Sequence, residues 1–158
     1  MPESHVILVE DFVTLDDWVE YQDSPGAYRI SSRYVRHSGG SLFLPGDGGP
    51  VRIARPVDNA VPGEMYTGGV WLYLPEERTV TPAGVFIASA EQGGPTQRVI
   101  AQSALLNFQG WVHLSFTWTQ PDWDECWFRI QRSGSGSAQV ESYWSGLRVT
   151  HADEEDES

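Results

Sequence analysis

The sequence predicts an all-β chain folded as an antiparallel β-sandwich. Apolar residues recur with period two in nearly every apolar segment. Turn residues interrupt the chain roughly every eight to twelve positions, as in two-sheet sandwiches. No segment sustains a capped 3.6-residue period; Asp16-Asp17-Trp18 offers one helical turn at most.

Taken in order, residues 6–9 (Val-Ile-Leu-Val) open with a strand-like run. Tyr28, Ile30 and Val35 mark a second extended region, and residues 41–44 form a short strand closed by the Pro/Gly loop at 45–50. Residues 51–57 alternate apolar with polar. Val61-Pro62-Gly63-Glu64 is a turn leading into a long strand at 65–74. Residues 85–87 and 98–102 are short strands flanking Gly93-Gly94-Pro95. In the strand at 111–119, Val112, Leu114, Phe116 and Trp118 point one way and Trp111, His113, Ser115 and Thr117 the other. Residues 125–132 repeat the pattern with Cys126, Phe128 and Ile130 inward, and residues 143–150 form the last strand. About nine or ten strands result. Phe116 and Trp118 are expected in the core and Trp127 outside it.

At 158 residues and 17.6 kDa the chain is one domain's length, with a core large enough to need no disulfide or metal. A β-sandwich domain over 1–150 and an acidic tail over 151–158 are expected; the tail holds five of the 22 acids. Net charge is −12 and every cation is arginine. Phosphate affinity rests on clustered cations, so neither nucleic acid nor an anionic membrane is an expected partner. The single cysteine excludes a disulfide framework, and its inward parity makes Cys126 a core thiol. Residues 1–5 have no basic region and no apolar run of signal-peptide length.

The order of motifs is informative. Asp11-Phe12 precedes Trp18; residues 35–42 read Val-Arg-His-Ser-Gly-Gly-Ser-Leu; Pro62-Gly63-Glu64-Met65-Tyr66 leads into Val70-Trp71-Leu72; Gly110-Trp111 opens a late strand. Over residues 6–150 this resembles the jelly-roll carbohydrate-binding modules of the galactose-binding-like type found beside xylanases and glucanases. The resemblance implies a two-sheet jelly roll binding sugar on its concave face or rim loops. Those modules carry a Glu directly after the first Phe and an Asp in the last strand, near a structural calcium. Here Val13 follows Phe12, the last strand reads Tyr143-Trp144-Ser145-Gly146-Leu147, and only Glu10 and Asp11 stand nearby.

A module of this type without a signal peptide is expected to be a non-catalytic virion-surface protein, a phage head decoration or tail accessory made in the host cytoplasm. Its partners would be capsid or tail proteins, or further copies of itself. The alternative is a stand-alone, extracellular polysaccharide-binding module. Parity brings Trp71, Tyr73, His113, Trp127 and Arg129 to one outer face if their strands share a sheet. Flat rings suit the apolar faces of sugars, and planar polar groups suit hydroxyls. Asp122, Asp124 and Glu125 are weak oxygen-ligand candidates for calcium; no other cofactor is implied. His5, His37, His113 and His151 show no metal-binding spacing, and no nucleophile elbow, P-loop or dinucleotide fingerprint occurs. Glycoside hydrolysis is the least favoured reading; it needs two carboxylates, for which Glu64, Glu91, Glu125 and Glu141 are candidates.

Overall fold

The computed structural model describes residues 6–20, 28–36, 39–44, 51–58, 60–75, 85–89, 99–102, 110–120, 126–132 and 141–152. These carry eleven strands: β1 (Val6–Glu10), β2 (Val19–Glu20), β3 (Arg29–Ser31), β4 (Ser41–Leu44), β5 (Val51–Pro56), β6 (Met65–Leu74), β7 (Val85–Ser89), β8 (Val99–Gln102), β9 (Gly110–Thr119), β10 (Trp127–Arg132) and β11 (Ser142–His151). All pairings are antiparallel. One sheet has the order β3-β4-β11-β6-β9 with β1 also on β11; the other has the order β2-β5-β10-β7-β8. The expected all-β sandwich is borne out.

Two elements differ from the sequence reading. The single turn at residues 16–17, where Trp18 N–H donates to the Leu15 carbonyl at 3.1 Å, leads directly into the two-residue strand β2. The last strand reaches His151, opposite Tyr66, and Ala152 N–H donates to the Met65 carbonyl at 2.9 Å. Residues 153–158, His5, His37 and the loop at 45–50 lie outside the described residues.

The core lies between the sheets. Leu42, Leu44, Val70, Leu72, Trp144, Leu147 and Val149 project from the six-stranded sheet, and Ile53, Phe128 and Ile130 from the five-stranded one. Parity within β9 and β10 holds: Leu114, Trp118, Cys126, Phe128 and Ile130 are buried. Phe116 is half-buried at the margin, its ring 5.9 Å from Phe128. Each buried indole N–H has a partner: Trp144 donates to Ser142 Oγ at 3.0 Å, Trp118 to Gln120 Oε1 at 3.1 Å and Trp18 to Glu10 Oε1 at 3.1 Å. Two of these partners stand two positions away along the chain, where strand parity returns a side chain to the same face.

Glu10 ties the sheets together. Its carboxylate accepts from Phe12 N–H at 2.8 Å and from the Trp18 indole, and it meets Arg55 Nη1 at 2.6 Å. Glu10 ends β1 in one sheet and Arg55 belongs to β5 in the other. The same bonds hold Phe12 at a φ of 55°, unusual for a bulky residue, with its ring fully buried and stacked 5.7 Å from Trp18.

At Gly68-Gly69, β6 is approached from both sides. A Cβ on Gly68 would lie 2.8 Å from Phe128 Cζ in the core, and one on Gly69 would lie 2.7 Å from the His113 ring outside. In β11 the register slips by one residue between Ser145 and Arg148. Gly146 sits there at a φ of 66°, a bulge conformation that a Cβ would disfavour.

Two stability outcomes follow. Glu10→Ala should destabilise the chain by about 3 kcal/mol in denaturant unfolding. Among the described residues it leaves the largely buried Arg55 guanidinium with only the exposed Asp17 carboxylate, at 3.7 Å, as an ion-pair partner; adding Arg55→Met should recover part of the loss. Gly68→Ala should cost about 1–3 kcal/mol by overpacking against Phe128. Wild-type midpoints for either single variant would show that the contact is dispensable.

Candidate functional site

The candidate site is built on the outer face of the six-stranded sheet. Register places Arg29 opposite Phe43, Phe43 opposite Tyr143, Tyr143 opposite Tyr73, and Tyr73 opposite Trp111. One row therefore crosses β3, β4, β11, β6 and β9 on a single face. At strand spacings of about 4.8 Å, its four rings span roughly 14 Å. Neighbouring rings touch: Phe43–Tyr143 at 4.7 Å and Tyr73–Trp111 at 5.1 Å between centroids. The adjacent row brings Ser145 opposite Trp71 and Trp71 opposite His113. Trp71 lies 6.5 Å from Trp111, edge to face, and 4.8 Å from His113.

The segment after β3 lies over these rows. Tyr34 stacks on Tyr73 at 4.1 Å and meets Tyr143 edge-on at 4.9 Å. Arg36 lays its guanidinium over Trp71 at 3.9 Å. The segment is pinned by Ser145: its Oγ accepts from Arg36 N–H and donates to the Arg36 carbonyl, both at 3.0 Å. Ser145 stands at the start of the β11 bulge, so the irregular backbone anchors the covering segment. Tyr34, Arg36, Trp71, Tyr73 and Trp111 remain half-buried, leaving ring surface open to solvent.

The five expected residues do not form one site. Trp71, Tyr73 and His113 do share this face. Trp127 and Arg129 stand on β10, in the other sheet, where Arg129 lies opposite Ala54 on β5. Arg129 is moreover only 5% exposed. Parity had correctly turned both away from the core, but the condition that β6, β9 and β10 share a sheet fails. The sheet partner of a strand is set by pairing between distant segments, which alternation along one strand does not encode.

The sequence reading missed Tyr34, Arg36, Phe43, Trp111 and Tyr143. Trp111 has the same parity as His113, and Phe43 and Tyr143 become visible once β4, β11 and β6 are in register. Tyr34 and Arg36 leave no periodic signal, since they belong to a loop.

Glu10 and Asp11 both face cations: Glu10 is bonded to Arg55, and Asp11 Oδ1 lies 3.3 Å from Arg148 Nη2. Among the described residues no group of three His, Cys, Asp or Glu could hold a metal ion. Asp122, Asp124, Glu125 and Glu91 lie outside the described residues. Glu64 and Glu141 stand at opposite ends of β6, since Tyr143 pairs with Tyr73 and Glu64 precedes Met65. Their separation is on the order of 30 Å along the strand, far beyond the reach of a glycosidase pair. Glu141 instead accepts from the Tyr143 hydroxyl at 2.8 Å, and Glu64 lies 3.9 Å from His151. Burial pushes the Cys126 thiol up to about 12, which keeps it protonated and unreactive at neutral pH.

No protein-family model matches the chain, and no curated protein matches it in sequence. Solved structures match its fold. A xylan-binding domain of carbohydrate-binding module family 22 is 16% identical with a TM-score of 0.65, over 96% of this chain and 97% of that one. The CBM22-1 xylan-binding domain of Paenibacillus barcinonensis Xyn10C is 12% identical with a TM-score of 0.69, over 97% and 98%. The enzymatically active domain of tailspike protein 4 of bacteriophage CBA120 is 11% identical with a TM-score of 0.61, over 88% of this chain and 20% of that one. The fold is thus the jelly-roll sandwich of the carbohydrate-binding modules, as the sequence resemblance implied.

Burial and a hydrogen bond to a carboxylate raise two phenols to about 12: Tyr143 through Glu141 and Tyr28 through Glu20. The folded chain therefore keeps two protons that unfolded tyrosines lose near pH 10. Their contribution to stability should be intact below pH 10 and fall as pH rises towards 12. Tyrosinate absorbance should show these two groups titrating near pH 12, one of them lost in Tyr143→Phe. A Tyr143→Phe difference curve centred at pH 10 would contradict the assignment.

Proposed function

We propose that this chain is a non-catalytic polysaccharide-binding module whose site is the outer face of the six-stranded sheet. One observation carries the reading: the in-register row Phe43, Tyr143, Tyr73 and Trp111, flanked by Trp71 and overlaid by Tyr34 and Arg36. Phe43 and Tyr143 are buried and form the base of the row; the open ring surfaces of Tyr73, Trp111 and Trp71 offer flat apolar area for the C–H faces of sugar rings. Arg36, His113 and the tyrosine hydroxyls are the polar groups for their oxygens. The fold supports it, being that of modules described as xylan-binding, so xylan is the first polymer to test.

A virion-surface role, with capsid or tail proteins meeting this face, is the second reading. The likeness to part of a phage tailspike favours it. In that case the isolated protein would have no glycan affinity, and substitutions on this face would empty its sites on the particle.

Affinity electrophoresis and tryptophan fluorescence with xylan separate the two. Trp71→Ala or Tyr73→Ala should weaken binding by about tenfold, the loss of one stacking platform. Trp127→Ala, on the opposite sheet, should leave it unchanged, with folding of each variant checked by thermal unfolding. Loss of binding in Trp127→Ala alone would place the site on the five-stranded sheet.

A further inference from the structure

We infer that the polysaccharide taken by this face is anionic, a polymer bearing carboxylates on its sugar rings; the inference rests on the reading of the face as a glycan site. The chain carries a net charge of −12 with only ten cationic side chains. Three of those ten gather here, each laid on a ring of the site. Arg29 lies over Phe43 at 4.5 Å, Arg33 over Tyr34 at 5.3 Å, and Arg36 over Trp71 at 3.9 Å and Trp111 at 5.7 Å. They are spread along the row from the β3 edge towards β9, not bunched at one end.

Among the described residues no ion pair neutralises these charges. Among the described residues the ion pairs join carboxylates to Arg55, Arg148 and His151, and none involves Arg29, Arg33 or Arg36. Asp11 is paired with Arg148 instead. Three like charges along one face of an acidic protein repel one another, and a neutral sugar can use their N–H donors but not their charge. Stacking on a ring holds each guanidinium flat while leaving its N–H edge available, and that edge matches a carboxylate with two parallel hydrogen bonds. A uronic acid residue presents both parts of the match, an apolar ring face and a carboxylate beside it. Cations repeated along an aromatic row suit a polymer in which such residues recur.

The test compares each of two polymers, glucuronoxylan and polygalacturonate, with the same polymer after its carboxyls are reduced to alcohols. The native form of at least one should bind about tenfold more tightly than its reduced form, and the preference should shrink as salt is raised. In the double variant R29Q/R33Q, whose two side chains lie at exposed positions, the preference for the native form should fall towards equality, Arg36 being the one of the three cations left on the face. Equal binding of native and reduced forms by the wild-type chain would overturn the inference and leave the glycan site standing. Absence of binding to both forms, and to xylan, would overturn the glycan site and the inference together.

Discussion

The Glu10 carboxylate is the constraint on which the sandwich turns. It is a nearly buried charge at the end of β1, and water cannot solvate it there, so the fold must supply every partner. The partners come from three places: the guanidinium of Arg55 in the opposite sheet, the indole of Trp18 in the first loop, and the backbone of Phe12. Satisfying one carboxylate therefore joins the two sheets, seats the turn before β2 and holds Phe12 in a left-handed conformation with its ring in the core. Asp11, carried by the same turn, ties β1 within its own sheet by accepting Gly40 N–H, just before β4, on its carbonyl and facing Arg148 of β11 with its side chain. Acids placed where the sandwich-module resemblance expects calcium nearby are here matched to arginines.

With the sheets locked, β6 becomes the element that connects core to site. Alternation gives it one face of Val70, Leu72 and Leu74 and another of Trp71 and Tyr73. Gly68 and Gly69 thin it at one point, so that Phe128 enters from inside and His113 lies across it outside. His113 in turn packs against Trp71, and Trp71 carries Arg36. The orientation of the exposed indole thus depends on side chains from β9 and from the segment after β3. The aromatic face is built by register: each ring is positioned by the backbone ladder beneath it, and the overlaid Tyr34 and Arg36 are fixed by the buried hydroxyl of Ser145.

The sequence by itself determined what depends on neighbours a few residues away. Period-two alternation identified most of the strands and sorted their side chains, placing Trp118, Phe128 and Ile130 inside and Trp71, Tyr73 and His113 outside, because a pleated chain turns successive side chains to opposite faces. Glycine- and proline-rich stretches marked the turns, and the order of motifs was enough to suggest the jelly roll. Tertiary structure alone decided which strands became neighbours. Trp127 and Arg129 have the same parity as Trp71 yet lie on the other sheet, while Phe43, Tyr143 and Trp111, distant in sequence, meet Tyr73 in one row. Pairing of remote strands is governed by how two complete faces bury each other, and the fold of a loop by the hydroxyl or ring on which it lands. Neither quantity is written in the alternation of any single strand, so the faces were legible before the structure, and the site assembled from them was not.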